Sequence, residues 1–217
     1  MLALVGSKVC YRTIGQGVFH CERCGGDRPY RHRSGRRWAH LLGVPVALIG
    51  DTGEHLACTM CGTCYRVDLL AVPTIEQMLV ALLAGTKAAV VAMLRAGGAS
   101  SQVARQRGID LVKAAGAADY HDGRMLAALA GAGTGEALPG CDDEAVPGLR
   151  PAVEAVAIQL DGHAKEWFLA KMVEVGLADG PLTDAEREVA GTTARYLGMT
   201  AAHGRDVISL TEEAAQA

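Results

Sequence analysis

Aromatic residues are scarce in this chain of 217 residues, where phenylalanine, tryptophan and tyrosine together make up 4% of the sequence. Glycine, in contrast, occurs 27 times, and half of the residues are hydrophobic. Small residues in this proportion favour closely packed helices over a sandwich of aromatic-rich strands. Charged residues make up only 21%. The composition therefore argues against a disordered chain and indicates a real core in one or two domains.

Long uninterrupted apolar runs are missing as well. No stretch of 18 apolar residues lacks a charge or a helix breaker, so we expect no ordinary transmembrane segment. The first eight residues are too short and too weakly basic for a secretory signal, and we therefore expect the protein in the cytoplasm.

Signatures of catalysis are absent from the sequence. It shows no nucleophile with a base at a recognisable spacing, no phosphate loop and no dinucleotide fingerprint. Residues 131–135 are rich in glycine, but no predicted strand precedes them, as a phosphate-binding loop requires. The sequence therefore predicts a protein that is not an enzyme.

Charge and cysteine are distributed unevenly along the chain. Residues 1–72 contain nine lysines and arginines against five acidic residues, whereas residues 73–217 contain twelve against nineteen. Six of the seven cysteines also lie in the first part. Both shifts fall near Pro73 and predict two domains, 1–72 and 73–217. The net charge of -3 excludes a chain that binds polyanions over its whole surface.

Two Cys-x-x-Cys pairs stand in the first domain, Cys21 with Cys24 and Cys58 with Cys61. A tetrahedral zinc site takes four thiolates at about 2.3 Å, and a two-residue spacer lets both sulfurs of one turn face the same point. A glycine follows each pair directly and permits the unusual backbone angles of such a turn. The pattern predicts a zinc-ribbon-like β domain over 1–72, with zinc held by these four cysteines.

Two alternatives to this assignment stay open. Residues 61–64 form a further Cys-x-x-Cys, so Cys64 could replace Cys58; we prefer Cys58, because Gly62 then directly follows the pair. The other interpretation is a redox dithiol or a set of thiols without metal. Disulfides are disfavoured in a reducing cytosol.

The stretch between the two Cys-x-x-Cys pairs is basic, and its residue pattern predicts β strands. We expect strands over 30–33, 36–42 and 44–49, with turns at 34–35 and 51–53. The same stretch carries four arginines that suggest nucleic-acid binding, Arg31, Arg33, Arg36 and Arg37. The alternative is that these arginines only cover the solvated face of a hairpin.

From residue 73 on, the pattern changes to helix. Thr74 and Thr183 each begin a capping box, with a glutamine or glutamate three residues later. Residues 88–116 and 167–199 share one plan, in which two helices flank a glycine turn and a hydroxyl cap. They predict a duplicated helical hairpin in an all-α domain over 73–217.

The bend of the second hairpin, residues 179–186, matches the latter half of an EF-hand loop. Val175 and Leu177 stand where the first half needs carboxylates, so a true EF-hand is not expected. Asp179 and Glu186 are candidates for weak binding of a divalent cation or for an acidic docking site. The simpler alternative is that they only form the turn and the helix cap.

This motif carries a resemblance to a known family. Residues 178–186, followed by Tyr-Leu-Gly-Met at 196–199, resemble the repeat of the TerB-like family, which includes tellurite-resistance proteins and the N-terminal region of the DjlA co-chaperones. Residues 19–30 are similar to zinc-ribbon segments of actinobacterial members. The resemblance covers roughly 73–210. It implies a mainly α fold, with a TerB-like helical bundle of duplicated hairpins preceded by a small β-rich zinc ribbon.

By the same resemblance, Asp179 and Glu186 match the acidic positions of the family. The first hairpin departs from the pattern, because Gly97 and Ala104 stand at the corresponding places. The family has been linked to metal or stress sensing and to assemblies near the membrane. The resemblance therefore implies a non-enzymatic stress-response protein with structural zinc, protein partners and a membrane-peripheral assembly.

Two further functions are open at this point. One is a thiol-based redox or metalloid sensor, in which oxidation beside Cys64 releases zinc. The other is a nucleic-acid-binding regulator that uses the arginine-rich hairpin.

Overall fold

A computed structural model of the chain describes residues 5–41, 44–131 and 148–216. The chain divides into two compact units, Met1–Gln77 and Met78–Ala217.

The first unit is built on an antiparallel sheet with the strand order β1-β2-β3-β4. Strand β1 spans Val5–Cys21, β2 spans Gly26–Leu41, β3 spans Val44–Cys58 and β4 spans Cys64–Tyr65. A 3₁₀ helix, Val67–Ala71, follows. The first three strands have 17, 16 and 15 residues, about three times the usual length.

Among the described residues, the buried core of this sheet lies at one end. Phe19 and Leu56 are fully buried there, and the rings of Tyr30 and Tyr65 pack edge-on against Phe19. Towards the other end, every residue of β3 from 44 to 54 is exposed. The sheet therefore extends beyond its core as a ribbon that is open to solvent.

The turns expected at 34–35 and 51–53 do not form, because these residues lie inside β2 and β3. Gly35 pairs with Tyr11 of β1, and a Cβ atom on it would come within 2.9 Å of the tyrosine ring. On β3 the extra residue, Thr52, is accommodated by a shift in register. The glycine thus permits close cross-strand packing rather than a turn.

The described part of the second unit is helical. Helix α1 spans Ile75–Met93, beginning in the first unit, and is followed by α2 Gln102–Ala114, α3 Asp122–Gly131, α4 Leu149–Ala157, α5 Gly162–Gly176, α6 Asp184–Tyr196 and α7 Ala201–Gln216. A π-helical turn, Leu94–Gly98, follows α1, and a 3₁₀ turn, Leu177–Asp179, follows α5.

The core of the second unit surrounds α5, which packs against α2, α6 and α7. Leu169 and Met172 of α5 are buried together with Met93 of α1, Met125 of α3 and Leu197, which directly follows α6. These side chains are unbranched at Cβ or flexible, which suits helices packed closely over many small residues.

Both predicted capping boxes are confirmed. The hydroxyl of Thr74 accepts a hydrogen bond from the backbone N–H of Gln77, whose side chain accepts one from the N–H of Thr74. Thr183 and Glu186 form the same reciprocal pair at the start of α6. Each box satisfies two backbone donors that the first helical turn leaves without partners.

The predicted fold class is wrong. The structure has 56% helix and 25% strand, so the protein is mixed α/β and not a clear all-α TerB-like fold. The error arises in the first unit, where a small ribbon of short strands was expected. Cross-strand pairing instead carries β2 and β3 through the expected turns. Residues 134–147, whose composition predicts a loop, lie outside the described residues.

In the described part of the chain, one helical stretch, Val67–Gly98, is long and apolar enough to cross a membrane by length and composition, with a mean hydropathy of 1.8. The sequence criterion required 18 apolar residues without a charge or a helix breaker. This stretch does not meet it, because it contains charged residues and a proline. In this structure 44% of its most apolar window is buried by the rest of the chain. Because the core helix of a protein without membrane spans passes the same test, the stretch is weak evidence for a span.

Candidate metal centre

The two Cys-x-x-Cys pairs lie in tight turns at the buried end of the sheet. Cys21 ends β1, and its carbonyl accepts a hydrogen bond of 3.1 Å from the N–H of Cys24. Cys58 ends β3, and its carbonyl accepts one of 3.0 Å from Gly62. The glycine after each pair has a positive φ, 64° at Gly25 and 72° at Gly62. The backbone role predicted for these glycines is thereby confirmed.

The four sulfurs of these turns converge. Those of Cys21, Cys24, Cys58 and Cys61 all lie within 4.8 Å of one another. Cys21 and Cys58 are buried, and the other two are partly buried. Among the described residues, no other group of three or more potential metal ligands comes together in this way.

The spacing of the sulfurs suits a tetrahedral metal ion. If each sulfur lies about 2.3 Å from the metal, the edges of a regular tetrahedron are about 3.8 Å long. The Sγ atoms of Cys21 and Cys61 are 3.8 Å apart. The four cysteines could therefore hold a metal ion through a closed set of soft ligands.

Tyr65 supports the cluster, and sequence reasoning missed it. Its hydroxyl lies 3.2 Å from Cys21 Sγ and accepts a hydrogen bond of 3.3 Å from the backbone N–H of Arg23. Since the hydroxyl already accepts from Arg23, its own proton is available to the sulfur. Tyr65 reaches this place because β4 pairs with the end of β3, a contact that no local spacing rule predicts.

The surroundings of two cysteines favour the thiolate. Hydrogen bonds from the hydroxyl and the backbone of Thr63 lower the pKa of Cys61 to about 6. Burial opposes the ionisation of Cys21, but hydrogen bonds from Tyr65 and the backbone of Cys24 outweigh it and lower its pKa.

The surroundings of Cys24, in contrast, favour the neutral thiol. Burial and the neighbouring thiol groups raise its pKa to about 12. Without a cation, the four cysteines would therefore not all be ionised at neutral pH. A bound dication would offset the repulsion between the thiolates and release the remaining protons.

The other cysteines stand apart from the cluster. Cys64 is exposed on β4, with its sulfur 4.0 Å from the carbonyl oxygen of Gly62. Cys10 is exposed on β1. Cys141 lies outside the described residues. The structure thus places Cys58, and not Cys64, beside Cys21, Cys24 and Cys61.

Asp179 and Glu186 lie at the bend between α5 and α6. Glu186 is only 2% exposed, and its Oε2 accepts hydrogen bonds of 2.8 Å from both the N–H and the hydroxyl of Thr183. The two carboxylates approach the glycines of the π-helical turn, Asp179 near Gly98 and Glu186 near Gly97. In the described ranges no further ligand joins them in a cluster. Cation binding here stays a prediction.

The four arginines of the basic hairpin lie along β2. Because side chains alternate along a strand, Arg31, Arg33 and Arg37 share one face of the sheet and Arg36 lies on the other. Arg33 is partly buried, and the other three are exposed. The structure therefore does not gather them on one surface, and nucleic-acid binding stays a prediction.

Comparison of the chain with protein-family models, with curated proteins and with solved structures finds no match in any of the three. The similarity to the TerB-like family therefore rests on the sequence motif alone and stays a prediction.

Proposed function

We propose that the four-cysteine cluster binds one zinc ion and that the zinc holds the first unit together in a protein that is not an enzyme. The convergence of the four sulfurs within 4.8 Å carries this proposal. Zinc is the usual occupant of a closed tetrahedral site of four thiolates. Such a site has no free coordination position for a substrate or a water molecule.

A structural role is supported by the small core of the first unit. Phe19 and Leu56 are the large apolar side chains fully buried there, and Cys21 and Cys58 complete the cluster around them. Domains of this size commonly need a metal or disulfides to supplement the core. The candidate ligands thus lie where a metal would contribute most to folding.

The wider function that we propose is a stress-response role in the cytoplasm, in which the acidic second unit binds protein partners or divalent ions. Residues 73–217 carry an excess of acidic residues, nineteen against twelve basic ones. Reduced thiols, which the site requires, persist in the cytosol. The TerB-like motif is the sequence feature that points to stress response.

A second candidate function is a thiol-based sensor, and the exposure of Cys64, three residues after Cys61 in the sequence, favours it. Peroxide or a metalloid oxyanion would accept two electrons from a pair of thiolates, which would form a disulfide and release the metal. A metal site that survives mild peroxide treatment in the full-length protein would count against this function.

Native mass spectrometry tests the zinc proposal directly. Protein from zinc-replete cells should carry one zinc per chain, which a strong chelator removes. Cys58→Ser should lose the zinc, whereas the matched variant Cys64→Ser should keep it. A metal-free wild-type protein, a metal other than zinc, or loss of zinc from Cys64→Ser with retention in Cys58→Ser would each contradict the proposal.

A further inference from the structure

The end of the sheet opposite the four-cysteine cluster exposes apolar side chains that no other described residue of the first unit covers. Leu41, Val44, Val46, Leu48 and Ile49 are each 45% to 60% exposed, and we call them the apolar tip. They flank or follow the β2–β3 connection. An exposed group of this kind on a folded protein marks a contact with another molecule.

Apolar side chains occupy both faces of the sheet at the tip. Leu41 pairs with Val44, and Trp38 pairs with Leu48. Since residues of odd and even number on β2 point to opposite faces, these two pairs lie on opposite sides. A protein partner with a flat surface would cover only one face of the sheet, whereas a lipid bilayer would surround an inserted tip on both faces.

Basic side chains border the apolar tip. Lys8 on β1 and the neighbouring Arg36 and Arg37 on β2 are all exposed, and we call them the basic collar. Arg36 and Arg37 lie on opposite faces, so the collar also borders the tip from both sides. Over residues 5–50 there are eight lysines and arginines but only two acidic residues. Asp51, which pairs with Arg36, is the one acidic residue next to the collar in register.

The distances suit a shallow insertion. Leu41 lies four residues beyond Arg37, which is roughly 14 Å along an extended strand. The tip would reach the acyl chains while the collar stays at the phosphates, and Trp38 would lie between them at the interface, as tryptophan prefers. Within the described ranges, the outer edge of β3 is paired only at Leu56 and Ala57. Its unpaired backbone groups near the tip would oppose deeper insertion.

We propose that the apolar tip and the basic collar bind the surface of a membrane rich in anionic lipids. The charge of the collar complements that of the headgroups, each basic side chain contributing roughly a fivefold gain in partitioning. The residues concerned lie in the β sheet, outside the stretch with the TerB-like motif, and the inference does not depend on a metal at the four-cysteine cluster.

Vesicle flotation of the whole chain as purified tests this proposal. Phosphatidylcholine vesicles containing phosphatidylserine should bind the protein, and pure phosphatidylcholine vesicles should bind it at least tenfold more weakly. The double variant Val46→Asp and Leu48→Asp should lose binding. Val18→Asp is the matched control, because Val18 is 57% exposed on β1 near the other end of the sheet. It should bind like the wild type.

Fluorescence locates the contact. In a Trp167→Phe background Trp38 is the only tryptophan, and its emission should shift to the blue and be quenched by brominated lipids. No binding to anionic vesicles, or equal effects of the Val46/Leu48 and Val18 substitutions, would overturn the proposal. A lipid-free dimer that the tip variant abolishes would instead assign the tip to a second copy of the chain. Binding of RNA or DNA that competes with the vesicles would assign the collar to nucleic acid.

Discussion

Replacing Tyr65 with phenylalanine should weaken zinc binding and leave the fold intact. The substitution removes the hydroxyl that lies 3.2 Å from Cys21 Sγ but keeps the ring that packs against Phe19 with centroids 5.3 Å apart. The backbone N–H of Arg23 donates to the same oxygen, and in the variant it would donate to water instead, because it lies at the surface. The change thus isolates one hydrogen bond to Cys21, a candidate metal ligand.

The expected magnitude follows from that hydrogen bond. A hydrogen bond to a charged group contributes about 1.5 to 3 kcal/mol. Loss of a partner that orients a metal ligand lowers metal affinity roughly 10- to 100-fold. At Cys21, removal of the hydroxyl also raises the pKa of the thiol, because that hydrogen bond helps to lower it. Protons would then compete better with zinc near neutral pH.

Competition for zinc against a chromogenic chelator measures this affinity. Tyr30→Phe is the matched control, since its ring also packs edge-on against Phe19, with centroids 5.6 Å apart. It should bind zinc like the wild type. An affinity of Tyr65→Phe within twofold of the wild type would refute the role of the hydroxyl. An equal loss in both variants would show that packing around Phe19, and not the hydrogen bond, determines affinity.

Three further predictions concern the fold. Thr183→Ala should destabilise the second unit by about 1 to 2 kcal/mol in urea unfolding followed by circular dichroism, because it opens the capping box and removes a partner of the buried Glu186. Gly35→Ala should lower the melting temperature of the first unit, whereas Gly50→Ala, with open space for its methyl group, should not. Burial opposes the ionisation of Glu174, but hydrogen bonds from a lysine and an arginine outweigh it and lower its pKa below 4.5. The stabilisation by ionised Glu174 should be complete above pH 4.5, the usual pKa of the group, and should disappear as the pH falls through the lowered pKa of the folded state. A Glu174→Gln variant with the same stability deficit at pH 7 and at pH 3 would contradict this.

The error in fold class shows where sequence reasoning reached its limit. The residues at 34–35 and 51–53 have the composition of turns, and local preference alone places turns there. In the structure β2 and β3 run through both sites, because the strands pair along their whole length and a bulge accommodates the extra residue. Non-local pairing overrode the local preference, and what was expected to be a small ribbon became a long sheet.

The sequence by itself determined the features whose parts lie within a few residues of one another. The turns that end in Gly25 and Gly62 and the boxes at Thr74 and Thr183 depend on spacings of three or four residues, and all of them form as predicted. Such motifs satisfy their own backbone groups, so tertiary packing has little power to change them. The choice of Cys58 over Cys64 as the fourth candidate ligand followed from the same local geometry.

Only the tertiary structure decided what lies around these motifs. Tyr65 reaches Cys21 across 44 residues of sequence because β4 pairs with β3. Gly35 contacts Tyr11 through the β1–β2 register. Leu41 and Leu48 are exposed because the sheet continues beyond its core. Each depends on which strands pair, and in which register, and that is fixed by the balance of burial and hydrogen bonding over the whole unit rather than by any short segment.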